Sequence, residues 1–243
     1  RLPPGRAAAI AEHLGRYRVM ERVELEPGSP AGLVELRGER APGLLAQLGI
    51  EAPEAPGDHA EAALAGVPLR IRCALRGREP RYELWIAGDA ERGEAMARIR
   101  AAGAESGLVE PDAAALEAAR IEDGELLWGI DYGEDAFPQE TGEEGAISWT
   151  KGCYLGQEVV ARIRYRGQAQ RAARGLRFLD RLPEPGAPLL VDGREVGRAT
   201  SVARSEAFGP IGLGVVHRRA GEPPARVAVE GGGAAELAPL PFA

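Results

Sequence analysis

Apolar positions recur along this chain with two periods, and the change from one to the other divides it. In "PPGRAAAIAEHLGRYRV" they follow helical spacing behind two prolines, which predicts a helix of about three turns. "YRVMERVELEP" alternates instead, so Val19, Val23 and Leu25 predict a strand closed by Pro27 and Gly28. "AGLVELRG" predicts a second strand and "RAPGLLAQLGI" a short helix, whereas "EAPEAPGDHAEA", rich in Pro and Glu, reads as a surface loop. "VPLRIRCALRGREPRYELWIAG" predicts a hairpin, with Leu69, Ile71, Cys73 and Leu75 on one face and "RGREP" turning the chain into Tyr82–Ile86. Asp89 stands where the N-cap of an amphipathic helix over "AERGEAMARIRAAGA" belongs. Strands and helices mixed without regular βαβ repetition give an α+β fold with an antiparallel sheet of split-βαβ type.

"PDAAALEAARIEDG" predicts another helix, with Pro111 in its first turn and Gly124 after its end. The acidic, Gly-rich "IDYGEDAFPQETGEEGAIS" follows and leads into "SWTKGCYLGQEVVARIRYRG", whose "GQEVVARIRY" allows one or two helical turns before Gly167. From about Arg174 the texture changes to short alternating runs, "RGLRFL", "APLLVDGREVGRATSVA", "GPIGLGVVHRR" and "ARVAVEGGGAAELAPL", divided by Asp-Gly, Gly-Pro and Gly-Gly-Gly turns. This predicts a small β-barrel of about six strands. The expected division is therefore an α+β region over 1–172, of one or two subdomains, and a barrel over 173–243. Trp85, Trp128 and Cys73 are expected in cores.

Composition narrows the function classes. A hydrophobic fraction of 44% over 243 residues supports a buried core. With net charge −7 no global field draws the chain onto nucleic acid, and no direct nucleic-acid partner is expected. No apolar run approaches the roughly 18 residues of a membrane span, and no signal peptide opens the chain. The two cysteines, Cys73 and Cys153, read as reduced thiols, which favours the cytoplasm. Asn is absent while Arg, Glu, Ala and Pro abound, the bias of heat-adapted proteins, although a GC-rich genome yields much the same pattern.

Against that background Lys151 is the only lysine in the chain. Lysine drifts to arginine where the two are equivalent; a compact ammonium with a tunable proton is where they are not. Cys153 lies two residues on, so in an extended segment the two side chains share a face, and a nearby ammonium favours the thiolate, the reactive form. A helix starting at "GQEVVAR" would add positive potential from its free N–H groups. Gln157 and Glu158 could hydrogen-bond a polar ligand, and Tyr154 could stack on an aromatic one. Arg162, Arg164, Arg166, Arg171 and Arg174 form a cationic stretch suited to a polyanion. Plainer readings stand beside these: Cys153 as a small core residue, the arginines as a solvated face. His13, His59 and His217 lack ligand spacing, so no metal site is expected, and no phosphate-cradling glycine motif appears.

"KGCYLGQE" at 151–158, followed by "VVARIRYRG", closely resembles the K-G-C-Y-x-G-Q-E signature of the YgfZ family of folate-binding proteins, relatives of the glycine-cleavage T protein, an aminomethyltransferase. "RIEDGELLWGIDYGED" resembles the R-x-E-x-G segment that both groups share, and "APLLVDGREVGRATSVA" their C-terminal barrel. The resemblance implies GcvT/YgfZ-like α+β folate-binding domains and a six-stranded barrel. It implies tetrahydrofolate or a derivative as cofactor, and a role in synthesis or repair of iron–sulfur clusters in client enzymes, among them radical enzymes that methylthiolate tRNA. Cys153 and Lys151 become the functional pair, and Glu122 matches the carboxylate that contacts the pterin in the transferase. Tyr154, Gln157, Glu158, Arg162 and Arg166 complete the implied folate site. The family's N-terminal strand-and-helix segment, which carries the position of the transferase's catalytic aspartate, would lie ahead of Arg1. Two other functions stand beside this one: a true aminomethyltransferase, and a non-catalytic folate-responsive scaffold.

Overall fold

The computed structural model describes residues 5–18, 20, 22–25, 32–74 and 78–243, with Arg166 described through its backbone alone. Two compact units follow one another, Arg1–Val109 and Glu110–Ala243.

The first unit contains α1 (Ala7–Gly15), β1 (Gly32–Arg37), α2 (Ala41–Gln47), β2 (His59–Leu64), β3 (Val67–Cys73), β4 (Arg81–Ile86) and α3 (Asp89–Gly103). The strands form an antiparallel sheet in the order β1-β4-β3-β2. Period-two alternation buries Val34, Leu36, Leu69, Ile71, Leu84 and Ile86 on one face, against Leu44 and Leu45 of α2 and Ala95 and Ile99 of α3. Cys73 packs half-buried against this core, and burial, reinforced by Asp58, raises its thiol pKa above the ordinary value. The opposite face of the sheet is polar. Arg72 donates twice to Glu83, at 3.1 and 2.8 Å, and Trp85 Nε1 donates to the same carboxylate at 3.2 Å. Trp85 is therefore half-buried on the polar face, not in the core as expected, because strand parity at position 85 follows Glu83 rather than Leu84.

Three further expectations change here. Residues 22–25 form no strand, and Val23 and Leu25 are exposed; alternation alone supplies no neighbour to hydrogen-bond. Val19, Pro27, Gly28, Leu75 and the Arg76-Gly77 part of the expected turn lie outside the described residues. β2 begins inside the stretch expected to be loop. Its Ala- and Glu-rich sequence has weak strand preference, but Ala65 and Gly66, with φ of 51° and 88°, turn it back onto β3, whose register fixes it. Asp89 is the first residue of α3 and pairs with Arg92 at 3.2 Å, and Gly88 holds the cap position.

In the second unit Asp112 caps α4 (Ala113–Glu122): its Oδ1 accepts from the Ala115 N–H at 2.8 Å, so Pro111 precedes the helix. An irregular acidic segment leads to α5 (Gln157–Arg166), longer than the one or two turns expected. Next come β5 (Arg171–Phe178), β6 (Ala187–Val191), β7 (Arg194–Ala199), β8 (Ser201–Ser205), β9 (Gly209–His217), β10 (Arg226–Val229) and β11 (Ala234–Ala238). All seven make one antiparallel sheet in the order β7-β6-β10-β11-β5-β9-β8, seven strands where about six are expected.

This sheet curls strongly. β7 and β8 occupy its two edges, yet only Thr200 separates them in the chain, so the edges must approach. Glycines make the approach possible. A Cβ on Gly197 of β7 would stand 2.8 Å from the Val215 carbonyl oxygen of β9, and one on Gly214 of β9 would collide with the Arg198 carbonyl oxygen of β7. Leu176, Phe178, Leu189, Val196, Val216, Val227 and Leu237 fill the concave side. A second core lies under α4, where Ala118 and Ile121 meet Ile211, Leu213 and Phe242. Trp128, expected in a core, is half-buried in a turn and bridges to Tyr132.

Candidate functional site

α4 delivers its last turn against β8, and this fixes the first part of the site. Arg120, near the helix end, donates through Nη1 to Asp131 Oδ2 at 2.9 Å and through Nη2 to Ser201 Oγ at 2.6 Å. Asp131 is fully buried and also accepts from the Leu127 N–H at 2.8 Å, from Thr200 Oγ1 at 2.5 Å and from Ser201 Oγ at 2.6 Å. Burial pulls the Arg120 guanidinium down, but its bonds to Glu117 and Asp131 more than offset this, and its pKa is raised. The network ties the turn after α4 to the β7–β8 corner. Glu122 ends the same helix, half-buried, with Oε1 accepting from Ser205 Oγ at 2.7 Å.

The acidic segment is anchored just as firmly. Glu140, buried, receives Arg171 Nε and Nη2 of β5 at 3.2 and 3.0 Å, and Arg171 Nη1 reaches Asp135 at 3.0 Å. The hydrogen bond from Arg171 holds the Asp135 carboxyl below its ordinary range. Gln139, also buried, donates Nε2 to the Val160 carbonyl of α5 at 2.9 Å, which clamps the segment to the helix.

Between these anchors runs the motif loop. The Lys151 N–H donates to Ser148 Oγ at 3.2 Å. Gly156, at φ +85°, reverses the backbone into α5, a conformation that favours glycine. Gln157 at the helix start reaches back, its Oε1 accepting from the Tyr154 N–H at 3.3 Å. Lys151 Nζ lies 4.7 Å from the Tyr154 ring centroid, so the lone ammonium rests on an aromatic face. Arg164 stacks over Trp149 at 4.1 Å, and Tyr165 meets Trp149 edge-on at 6.3 Å. Cys153 is exposed in irregular backbone.

The structure thus gathers Lys151, Cys153, Tyr154, Gln157, Glu158 and Arg162 on one continuous feature, the loop and the first turns of α5; Glu158 and Arg162 are exposed there. The Arg166 side chain lies outside the described residues. Glu122 comes from a separate element, the end of α4. The five arginines read as one cationic stretch separate: Arg162 and Arg164 stay on α5, whereas Arg171 and Arg174 lie on β5, with Arg174 donating to Glu222 at 2.7 Å. Sequence reasoning missed Asp131 and Glu140. Both sit in an acidic run where nothing local marks one carboxylate as buried.

No protein-family model matches the chain. It is 36% identical over 112 residues to an aminomethyltransferase of Moorella thermoacetica, a match covering 46% of this chain and 30% of that one. To the tRNA-modifying protein YgfZ of Yersinia pestis it is 30% identical over 161 residues, covering 65% of this chain and 46% of the relative. The chain thus matches less than half the length of either curated relative. Among solved structures, the glycine cleavage system aminomethyltransferase T of Bartonella henselae superposes with a TM-score of 0.77 at 22% identity, over 98% of this chain and 66% of that one. The fold is that of the glycine-cleavage aminomethyltransferase, and in sequence the chain is similar to YgfZ and to aminomethyltransferases over part of their length.

Proposed function

We propose that this chain binds tetrahydrofolate or a derivative and serves as an accessory factor for the synthesis or repair of iron–sulfur clusters in client enzymes, including radical enzymes that methylthiolate tRNA. The observation that carries the reading is the exposed Cys153 within a loop whose backbone is anchored at Ser148 and Gln157. A thiol presented this way can act as donor, transient ligand or nucleophile toward a partner. One-carbon transfer to folate has no use for a thiol, so the exposed Cys153 favours the accessory role over aminomethyl transfer.

The residues present suit a reduced folate. Glu122 is half-buried and oriented by Ser205, as a carboxylate accepting from the amino and ring N–H groups of a pterin should be. Tyr154 offers a ring face, Gln157 and Glu158 offer polar groups, and Arg162 would meet the glutamate carboxylates. A bound reduced folate supplies a one-carbon carrier; Cys153 and Lys151 supply the groups the folate lacks.

Titration with tetrahydrofolate, read by tryptophan fluorescence, tests the ligand. Saturable binding that weakens about tenfold or more in Glu122→Gln is expected, from the loss of a charged acceptor. Cys153→Ala should bind folate unchanged yet fail to restore client maturation in cells lacking the protein. Full maturation with Cys153→Ala would instead leave a folate-responsive scaffold, and absence of saturable folate binding would remove the ligand from the proposal.

A further inference from the structure

Where the chain enters β5, a cleft of about 420 Å³ opens that the folate reading does not use. Gln168, Arg171, Arg174, Arg218, Gly221 and Glu222 are among its walls. Three arginines, Arg171, Arg174 and Arg218, line this cleft, and two of them are paired with carboxylates.

The frame of the cleft is fixed. Arg171 pairs with His217 in the β5–β9 ladder, the Arg218 N–H donates to the Gln170 carbonyl at 2.9 Å, and Ala220 is buried in the concave core beside it. The three arginines differ in what they hold. Arg171 is committed to Glu140 and Asp135. Arg174 holds Glu222, but that glutamate side chain is 77% exposed, and an exposed pair of this kind contributes little. Arg218 is exposed and, among the described residues, has no side-chain partner. Arg174 and Arg218 thus line the cleft with one weakly held carboxylate, Glu222, and Arg174 Nη1 also donates to the Ala173 carbonyl at 3.2 Å.

We propose that this cleft binds the phosphoryl group of a small molecule, with Arg174 and Arg218 clamping its oxygens and Glu222 turning outward to solvent. A phosphoryl group brings two negative charges and three oxygens, which matches two forks better than a single carboxylate does. The volume suits a small molecule. Glu222 then acts as an internal competitor that occupies Arg174 when no ligand is present.

Calorimetric titration of the chain with inorganic pyrophosphate, in a low-salt buffer free of phosphate, tests this. Saturable binding is expected, weakened about tenfold or more in Arg218→Ala, a residue on the surface whose loss leaves the core intact. Glu222→Gln should bind more tightly than the unsubstituted chain, because the competing charge is gone while the side-chain size is kept. Circular dichroism should be the same for all three. Absence of saturable binding, equal affinity in Arg218→Ala, or weaker binding in Glu222→Gln would each overturn the clamp. A triglutamate peptide binding more tightly than pyrophosphate would overturn the phosphoryl assignment. Folate titration of Arg218→Ala should be unchanged, which keeps this site apart from the one proposed above.

Discussion

Removing the Asp131 carboxylate should destabilise the second unit more than any single surface change. The side chain is fully buried and takes part in four interactions, with Arg120, Thr200, Ser201 and the Leu127 N–H. In Asp131→Ala the Arg120 guanidinium, itself only 10% exposed, keeps Glu117 but loses its buried counter-charge. Breaking a buried pair from one side costs about 3–5 kcal/mol, and the remaining Glu117 places the expectation near the lower end, about 3 kcal/mol. For a chain of this size that corresponds to a fall in melting temperature of roughly 6–12 °C. Glu117→Gln provides the internal contrast. Its side chain is 40% exposed, so the same guanidinium loses a solvent-screened partner and the change should stay below about 1 kcal/mol. Urea unfolding followed by fluorescence reads both, with Trp128 and Trp149 reporting from the second unit and Trp85 from the first. An Asp131→Ala protein within about 1 kcal/mol of the unsubstituted chain, or a Glu117→Gln protein equally destabilised, would refute the reasoning that the buried, multiply bonded carboxylate carries the penalty.

The Asp135–Arg171 pair predicts a pH dependence. Because the folded carboxyl titrates below its ordinary value of 3.8, its contribution is complete above that value and is lost as pH falls through the depressed range. The stability gap between the unsubstituted chain and Asp135→Asn should therefore be constant near neutrality and vanish in acid; a gap that widened on acidification would contradict the ion pair. The two thiols should also separate: iodoacetamide is expected to label the exposed Cys153 first, while Cys73, packed against the core with a raised pKa, lags and needs more alkaline solution, as peptide mass spectrometry would show. Equal labelling rates at neutral pH would mean that the first unit opens far more readily than its core implies.

Much of this protein is readable from local pattern. The helices over Ala7–Gly15, Ala41–Gln47, Asp89–Gly103 and Ala113–Glu122, the β3–β4 hairpin and the strand-rich C-terminal texture follow from side-chain period and from Gly, Pro and Asp at the ends, which act over a few residues. The motif from Lys151 to Glu158 is equally local, and so is the resemblance it carries. β2 was hidden because an exposed edge strand of Ala and Glu takes its conformation from its partner, not from its own composition. Residues 22–25 show the converse, an alternating pattern with no strand formed. Burial of Asp131 and Glu140 depends on Arg120 and Arg171, the latter 31 residues away in sequence from Glu140, and no window of sequence distinguishes them from their exposed acidic neighbours. The placing of Arg218 beside Gln170 at the start of β5 follows from the pairing of β5 with β9, a long-range choice. Sequence alone determined the elements and the chemistry of the motif loop, because those rest on neighbours along the chain. Only the tertiary structure decided which charges are buried, which are paired and which are left facing solvent, because desolvation depends on what packs around a group in space.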